Sequence, residues 1–211
     1  MPKLLVVAAS PRRNNSISRE LTGSFVTKWL ETYPDGEVVM RDLVADPLPF
    51  VDEAWIAGAF TAPETHSPDS AAAMRLSNLL IAELQSADHI LIGTPMHNLM
   101  IPAQLKVYID QIVRVGSTVS IENEGLVKDK KAAIIVASGG DFSVGAPAEK
   151  FNHLTPYLRT VLGFIGITDV QIVMAGPTRQ LASGQQEIDK FVGDFEGHVD
   201  GVLNSWVEPR A

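Results

Sequence analysis

Short continuous runs of apolar residues alternate along this chain with longer segments that carry apolar residues at helical spacing. Continuous runs are typical of parallel strands buried on both faces, whereas apolar residues three or four positions apart indicate one buried face of a helix. A chain that repeats this alternation is built from βαβ units. The predicted strands are Leu4–Ala9, a more amphipathic Glu37–Leu43, Ile90–Gly93, Ala132–Ala137 and Val170–Ala175.

Five helical segments lie between and after these strands, with apolar stripes over residues 21–30, 76–84, 105–113, 154–162 and 188–199. Because parallel crossovers are right-handed, five strands and five helices predict a doubly wound α/β sheet with helices on both faces. Five strands favour the flavodoxin-like order 2-1-3-4-5 over a six-stranded Rossmann sheet. No linker or repeat divides the chain, so residues 1–211 are expected to form one domain.

Charge and composition exclude several classes of function. A net charge of −8 argues against a nucleic-acid partner. The chain has no cysteine, which excludes disulfides, thiol nucleophiles and thiolate metal sites, and its histidines form no metal-ligand motif such as HExxH. No apolar run reaches membrane-spanning length, and Pro11 and two arginines stand where a signal peptide would have its cleavage region. We therefore expect a cytoplasmic protein that binds neither metal nor membrane.

The predicted topology locates the site. In a doubly wound sheet, ligands bind beyond the carboxyl ends of the strands, at the point where strand order reverses. For the order 2-1-3-4-5 that point lies between the first and third strands. The loops to consider are therefore Ser10–Ser18 and Thr94–Ile101, with Ser138–Asp141 after the fourth strand as their neighbour.

The first loop, SPRRNNSIS, has three serines and no glycine. Ser10 lies at the strand end, and Ser16 and Ser18 lie where the next helix begins, so their hydroxyls can supplement helix-end N–H groups in binding one terminal phosphate. The glycine-rich dinucleotide fingerprint and the GxxxxGK[ST] motif are both absent, which argues against a pyrophosphate or nucleoside triphosphate site. Serine and asparagine are also ordinary helix caps, so a simple cap is the alternative.

The other two loops indicate a flat ligand. Met96 and Leu99 are apolar in a loop that is expected to be polar, which favours a planar apolar ligand over mere packing, and Asn98 offers an amide to its polar edge. Gly139 and Gly140 leave backbone N–H groups unobstructed for a ring edge, although paired glycines are also common in turns. The three loops together describe a mononucleotide with a large planar base, and flavin mononucleotide (FMN) matches best.

Three segments of the chain resemble the FMN-dependent NADH:quinone oxidoreductases, also called azoreductases. They read KLLVVAAS…SIS, GTPMHN…PAQLKVYIDQIVR and TPYLRTVLGFIGITDV, and the resemblance covers roughly the whole chain. It implies an enzyme with a flavodoxin-like fold that works as a homodimer with its active site at the dimer interface. It also implies ping-pong hydride transfer from NADH or NADPH to FMN and then to a quinone or azo compound.

The resemblance also implies which residues contact FMN. The phosphate contacts fall on Ser10, Ser16, Ile17 and Ser18, the ring wall on Met96, His97, Asn98 and Leu99, and the ring edge on Ser138, Gly139, Gly140 and Asp141. The family commonly reads MYNF where this chain has MHNL, and SRGG where it has SGGD. These departures bear on acceptor preference and on the choice between NADH and NADPH.

No catalytic side chain is assigned, because the cofactor carries this chemistry. His97 is a candidate proton donor to the reduced substrate, and solvent is the alternative source. Two other functions fit the same fold. One is an FMN reductase that passes electrons to free flavin or iron complexes, and the other is a flavodoxin-like electron carrier without its own substrate.

Two long connections have no assigned role. Val44–Asp69 carries Trp55 and Phe60, and it either covers the site or a partner subunit or forms a plain surface excursion. A covering role would favour an enzyme over an electron carrier. Gly116–Lys130 is a candidate for a small hairpin, and the same two alternatives apply to it.

Overall fold

Five parallel strands form the central sheet of the protein, and helices cover both faces. The structure, a computed structural model, describes residues 1–179, 181 and 185–207. The strands are β1 (Lys3–Ala8), β2 (Glu37–Asp42), β3 (His89–Pro95), β4 (Lys131–Ala137) and β5 (Asp169–Ala175). The α-helices are α1 (Ile17–Thr32), α2 (Glu53–Ala59), α3 (Pro68–Ser86), α4 (Ala103–Ile112), α5 (Leu154–Phe164), α6 (Gln185–Asp194) and α7 (Glu196–Val207).

The strand order β2-β1-β3-β4-β5 confirms the predicted fold class. All four strand pairs are parallel. The register places Ala8 beside Asp42 of β2 and Gly93 of β3, and it places Pro95 beside Ala137 of β4. The loops that follow these strands are therefore neighbours at one edge of the sheet.

Alternate residues of each inner strand face opposite helical layers. In β1, Leu4 and Val6 pack in the layer of α1, α6 and α7, whereas Leu5 and Val7 pack in the layer of α3, α4 and α5. All four side chains are fully buried. A strand with two buried faces has no polar positions, which is why β1 reads as a continuous apolar run. Burial of each side chain contributes about 1.5–3 kcal/mol.

Helix α1 begins beyond the carboxyl end of β1 and packs closely on β3. Ser16 caps the helix, because its Oγ accepts the Arg19 N–H at 3.4 Å. Gly93 permits the close packing, since a Cβ there would lie 2.2 Å from Oγ1 of Thr22 in α1. That hydroxyl is held in place by donating to the Ser18 carbonyl at 2.6 Å. The first turn of α1 is thereby fixed over the carboxyl edge of the sheet.

The segment Val44–Asp69 contains a helix that the sequence pattern did not predict. Asp52 caps α2 by accepting the Trp55 N–H at 2.8 Å. The Trp55 indole is buried and donates to Oε1 of Gln111 in α4 at 2.8 Å. The tryptophan therefore anchors the segment to the domain, whereas the Phe60 side chain is 74% exposed.

Two further segments differ from expectation. Gly116–Lys130 forms no strand, and the predicted hairpin is reduced to a single antiparallel bridge between Val119 and Gly125. The last apolar stripe is divided between α6 and α7 by a turn at Phe195, whose N–H bonds to the Val192 carbonyl at 3.0 Å. The described ranges thus contain seven α-helices rather than five. None of these helices has the length and apolar character needed to cross a membrane.

Candidate functional site

A cleft of about 800 Å³ opens at the carboxyl edge of the sheet. This is where a doubly wound sheet binds its ligands. Four loops form its walls, namely those after β1, β3, β4 and β5. The described lining residues are Ser10, Arg12, Asn14, Asn15, Ser16, Ile17, Ser18, Pro95, Met96, His97, Ala137, Gly139, Thr178, Arg179 and Leu181, with Ile188 from α6.

Three serine hydroxyls gather at the N-terminus of α1. Ser16 Oγ donates to Ser10 Oγ at 2.8 Å and lies 3.4 Å from Ser18 Oγ. All three serines are buried. The hydrogen bonds of α1 begin with the Arg19 N–H, so the N–H groups of Ile17 and Ser18 remain available to a ligand. Hydroxyls and helix-end N–H groups form a donor set that suits one phosphate.

Arg19 ties this loop to the neighbouring strand. Its guanidinium donates to both carboxylate oxygens of Asp42 at 2.6 and 2.9 Å, and to the Ser10 carbonyl at 2.8 and 3.2 Å. The hydrogen bond from Arg19 outweighs the effect of burial and lowers the pKa of Asp42 to about 2. We call this arrangement of Arg19, Asp42 and Ser10 the Arg19 clamp. It fixes the start of the loop after β1 relative to β2.

A tight turn after β3 forms the second wall. His97 and Met100 exchange two backbone hydrogen bonds of 2.9 and 3.0 Å. The central residues Asn98 and Leu99 have φ angles of 48° and 71°, as in a type I′ turn. Leucine rarely adopts this conformation, and such strained residues cluster at functional sites. The turn is held because the Leu99 carbonyl accepts the His153 N–H at 3.2 Å.

The loops after β4 and β5 are bonded to each other. The Ser138 carbonyl accepts both the Thr178 N–H at 2.9 Å and the Thr178 hydroxyl at 3.1 Å, and the Arg179 N–H donates to the Gly139 carbonyl at 3.1 Å. Gly176 permits this close approach, since a Cβ there would lie 2.6 Å from Ser138 Oγ. The loop after β5 is thus held against the loop that was expected to meet a ring edge.

A second cleft of about 490 Å³ adjoins the first. The two share Met96, Gly139 and Arg179, and the second is also lined by Asn98, Leu99, Gly140 and Phe142. Among the described residues that line either cleft, there is no carboxylate, and the arginines are Arg12 and Arg179. In a chain of net charge −8, this local excess of positive charge favours an anionic ligand.

Known proteins are similar to this chain in both sequence and fold. A family described by its flavodoxin-like fold matches residues 2–199. The FMN-dependent NADH:quinone oxidoreductase of Nostoc punctiforme is 49% identical over 205 residues, which cover 92% of this chain and 100% of the relative. The chain belongs to the FMN-dependent NADH:quinone oxidoreductase family. A Burkholderia lata member, FMN-dependent NADH:quinone oxidoreductase 8, is 46% identical, and the aligned residues cover 92% of this chain and 93% of that relative.

Solved structures share the fold of this chain. The azoreductase from Bacillus anthracis str. Sterne superposes with a TM-score of 0.84 at 29% identity, covering 97% of this chain and 100% of that one. An FMN-dependent NADH-azoreductase from Bacillus anthracis str. Ames Ancestor, solved in complex with FMN, shares the fold with a TM-score of 0.79 at 21% identity, over 95% and 99% of the two chains. The resemblance inferred from the sequence motifs is confirmed.

Most residues that the family resemblance implied as FMN contacts meet at the two clefts. Those that line them are Ser10, Ser16, Ile17, Ser18, Met96, His97, Asn98, Leu99, Gly139 and Gly140. Ser138 and Asp141 line neither. The buried Ser138 hydroxyl donates to the Gly140 carbonyl at 2.9 Å, and the exposed Asp141 carboxylate accepts from the N–H and hydroxyl of Ser143 at 3.0 and 2.5 Å.

Several lining residues were missed by reasoning from the sequence. Thr178, Arg179 and Leu181 follow the carboxyl end of β5, and Phe142 directly follows the predicted SGGD loop. Their position directly after the fifth predicted strand could have indicated Thr178, Arg179 and Leu181 as lining residues. The sequence reasoning considered only the loops after the first, third and fourth strands. The segment Val44–Asp69 contributes no lining residue to either cleft, so it does not cover the site within this chain.

Proposed function

We propose that the protein is an FMN-dependent NADH:quinone oxidoreductase that reduces quinones and azo compounds by ping-pong, two-electron transfer. The observation that carries this proposal is the donor set for one phosphate at the start of α1, which opens into a cleft walled by the turn 97–100. The names of the Nostoc and Burkholderia relatives support quinones as acceptors. The azoreductase structure at 29% identity supports azo compounds.

The residues present fit FMN. The buried hydroxyls of Ser10, Ser16 and Ser18, with the first N–H groups of α1, would hold its phosphate. The segment Met96–Leu99 would lie along the ring, and Gly139 and Gly140 would supply backbone N–H groups to the ring's polar edge. The chemistry that bound FMN supplies is hydride transfer, from NADH or NADPH in one half-reaction and to the acceptor in the other.

The protein's own contribution is to bind and orient the cofactor and its reaction partners. The Arg19 clamp holds the phosphate loop in place, and Met96 and Leu99 present apolar surface to a flat ligand. His97 lines the cleft but is exposed to solvent, so water reaches the position from which His97 would deliver a proton. We therefore propose that no side chain is an obligatory general acid.

We also propose that the protein acts as a homodimer in the cytoplasm. Phe50, Ile56 and Phe60 are 75%, 51% and 74% exposed around the anchored Trp55. An apolar surface of this kind supports burial against a second copy of the chain. Light scattering after size-exclusion chromatography should give twice the chain mass of 22.8 kDa. A monomer at every concentration would remove this part of the proposal.

The visible spectrum of the purified protein tests the proposed function directly. We expect a yellow protein whose flavin absorbance bleaches on anaerobic addition of NADH and returns on addition of benzoquinone. A protein that bleaches but is reoxidised only by free flavin would instead be an FMN reductase. A colourless protein that does not take up added FMN would reduce the serine cluster to a helix cap and refute the proposal.

A further inference from the structure

Phe142 carries the one phenyl ring among the described residues that line the two clefts. It directly follows the loop Ser138–Asp141, and its ring turns back over Gly140. The ring atoms Cε2 and Cζ lie 3.1 and 3.5 Å from the point at which a Cβ on Gly140 would stand. A side chain at position 140 would therefore crowd the phenyl ring, whereas glycine leaves it room. The ring lies beside the backbone that would meet the polar edge of the flavin.

Asn152, just before α5, holds the backbone of Phe142. Its Nδ2 donates to the Phe142 carbonyl at 3.2 Å, and its Oδ1 accepts the Thr155 N–H at 3.1 Å. The Thr155 N–H lies in the first turn of α5, where N–H groups have no partner within the helix. One amide group thus serves a carbonyl in one loop and an N–H at a helix end. An ionised carboxylate could serve only the N–H, because it has no hydrogen to donate.

The residue after Asn152 holds the other wall of the second cleft. The His153 N–H donates to the Leu99 carbonyl at 3.2 Å. Because Asn152 and His153 are adjacent in the chain, the start of α5 fixes the turn after β3 and the loop after β4 relative to each other. These two segments supply Leu99 and Phe142 to the lining of the second cleft. Their separation sets the space that is left for a flat ring.

Hydrogen bonds within the loop after β4 hold its remaining residues. The Ser138 hydroxyl donates to the Gly140 carbonyl at 2.9 Å, and the Asp141 carboxylate accepts the Ser143 N–H at 3.0 Å. Neither Ser138 nor Asp141 lines a cleft, so their side chains support the loop. Phe142 differs from both, because its side chain lines the second cleft while its backbone is held from α5.

We propose that Phe142 is a further contact of the flavin ring and that Asn152 is the residue that positions it. Aromatic rings in contact attract each other beyond the effect of apolar burial alone, and the ring system of FMN is flat and aromatic. This inference rests on the proposed function, because the ring that Phe142 meets is that of the proposed cofactor. It adds to the flavin site two residues that lie outside the three loops from which the site was inferred.

Equilibrium dialysis of the FMN-loaded protein tests the contact. Phe142→Leu keeps an apolar side chain but removes the aromatic ring, and it should raise the Kd of FMN about fivefold. Phe142→Tyr retains the ring and should keep the wild-type Kd. Phe151→Leu makes the same exchange at an exposed site that lines neither cleft, and it should leave the Kd unaltered. An unchanged Kd in Phe142→Leu would overturn the proposal.

A double-mutant cycle tests the role of Asn152. Asn152→Asp keeps the acceptor for the Thr155 N–H but loses the donor to the Phe142 carbonyl, so it should also raise the Kd of FMN. Added to Phe142→Leu, it should cause little further loss, because the two residues act on FMN as one unit. Additive losses would overturn the positioning role. Asn204→Asp makes the same change in charge at an exposed site on α7 and should leave the Kd unaltered.

Flavin fluorescence gives a readout that a merely structural role would not move. A tyrosine in contact with an excited flavin quenches its emission, and the described lining residues include no tyrosine or tryptophan. Bound FMN should therefore have a shorter fluorescence lifetime in Phe142→Tyr than in the wild type, whereas Phe151→Tyr should not shorten it. Equal lifetimes in Phe142→Tyr and the wild type would place the side chain away from the ring and overturn the proposal.

FMN binding and quinone reduction are measured first, on the wild type. If the wild type binds no FMN, both the proposed function and the role of Phe142 fail. If it binds FMN and reduces quinone while Phe142→Leu binds FMN equally well, only the role of Phe142 fails.

Discussion

His89 is a buried base at the start of β3, and its replacement should change how stability depends on pH. The ring is stacked on Trp206 with centroids 4.6 Å apart, and Nδ1 accepts the Trp29 Nε1–H at 3.2 Å. Burial opposes the charged form, Asp88 partly offsets this effect, and Lys131 adds repulsion. The pKa of His89 is therefore lowered to about 4.

The lowered pKa determines the sign and size of the effect. An unfolded histidine titrates near 6.5, so between pH 6.5 and 4 the unfolded chain binds a proton that the folded chain does not, and stability falls as pH falls. With folded and unfolded pKa values of about 4 and about 6.5, the loss is about 2 kcal/mol at pH 5 and about 3 kcal/mol at pH 4. At pH 7.5 the contribution is close to zero.

The assay compares the wild type with His89→Gln, because the glutamine carbonyl can still accept the Trp29 N–H. Urea unfolding of both proteins is followed by tryptophan fluorescence at pH 7.5 and pH 5.0. The wild type should lose about 2 kcal/mol more than the variant over this interval. Carboxylates titrate in both proteins, so their contributions cancel in the comparison. Equal losses, or an NMR titration of His89 centred near pH 6.5, would refute the reasoning.

Three further predictions follow from the site and its supports. Ser16→Ala removes a hydroxyl from the serine cluster and should weaken FMN binding about fivefold, measured by recovery of flavin fluorescence. The surface change Ser86→Ala should leave FMN affinity unchanged. If Ser16→Ala and the wild type bound FMN equally well, the serine cluster would have only a capping role. Gly93→Ala brings a Cβ to 2.2 Å from a threonine hydroxyl of α1 and should lower the free energy of unfolding by about 1–3 kcal/mol. Gly23→Ala, at a helical site with open space, should instead raise the free energy of unfolding slightly. If thermal unfolding showed a change of the same sign for both variants, the close packing at Gly93 would be contradicted. Asp42→Asn should remove about 1–2 kcal/mol of wild-type stability that is present above pH 4 and lost as pH falls toward 2, and identical acid-unfolding curves would contradict this.

The sheet could be predicted because buried strand positions are occupied by apolar residues, which can be read directly from the sequence. The inner strand β1 is apolar at successive positions, whereas the edge strand β2 is only partly buried and reads as amphipathic. The predicted strand order then identified the loops after β1, β3 and β4 as the site, because the carboxyl ends of parallel strands lie at one edge of the sheet. These inferences use only residues close together in the chain.

The features that were missed depend on contacts between distant residues. The position of Arg179 depends on the hydrogen bond from its N–H to the Gly139 carbonyl, which lies in a different loop. Helix α2 is only 7 residues long, too short for a clear apolar period, and its Trp55 bonds to Gln111 of the distant helix α4. Neither of these two contacts produces a recognisable sequence pattern in the segments that form it.

The Arg19 clamp makes the position of the loop after β1 depend on the pairing of β1 with β2. One guanidinium group joins the carbonyl of Ser10 to the carboxylate of Asp42, so pairing of β1 with β2 brings together the groups that hold the start of the loop. A ligand that enters such a preorganised receptor loses little free energy to ordering it, and its binding free energy adds to the stability of the whole domain. Departure of the cofactor then leaves a receptor that is still formed, and the same polypeptide can be recharged many times.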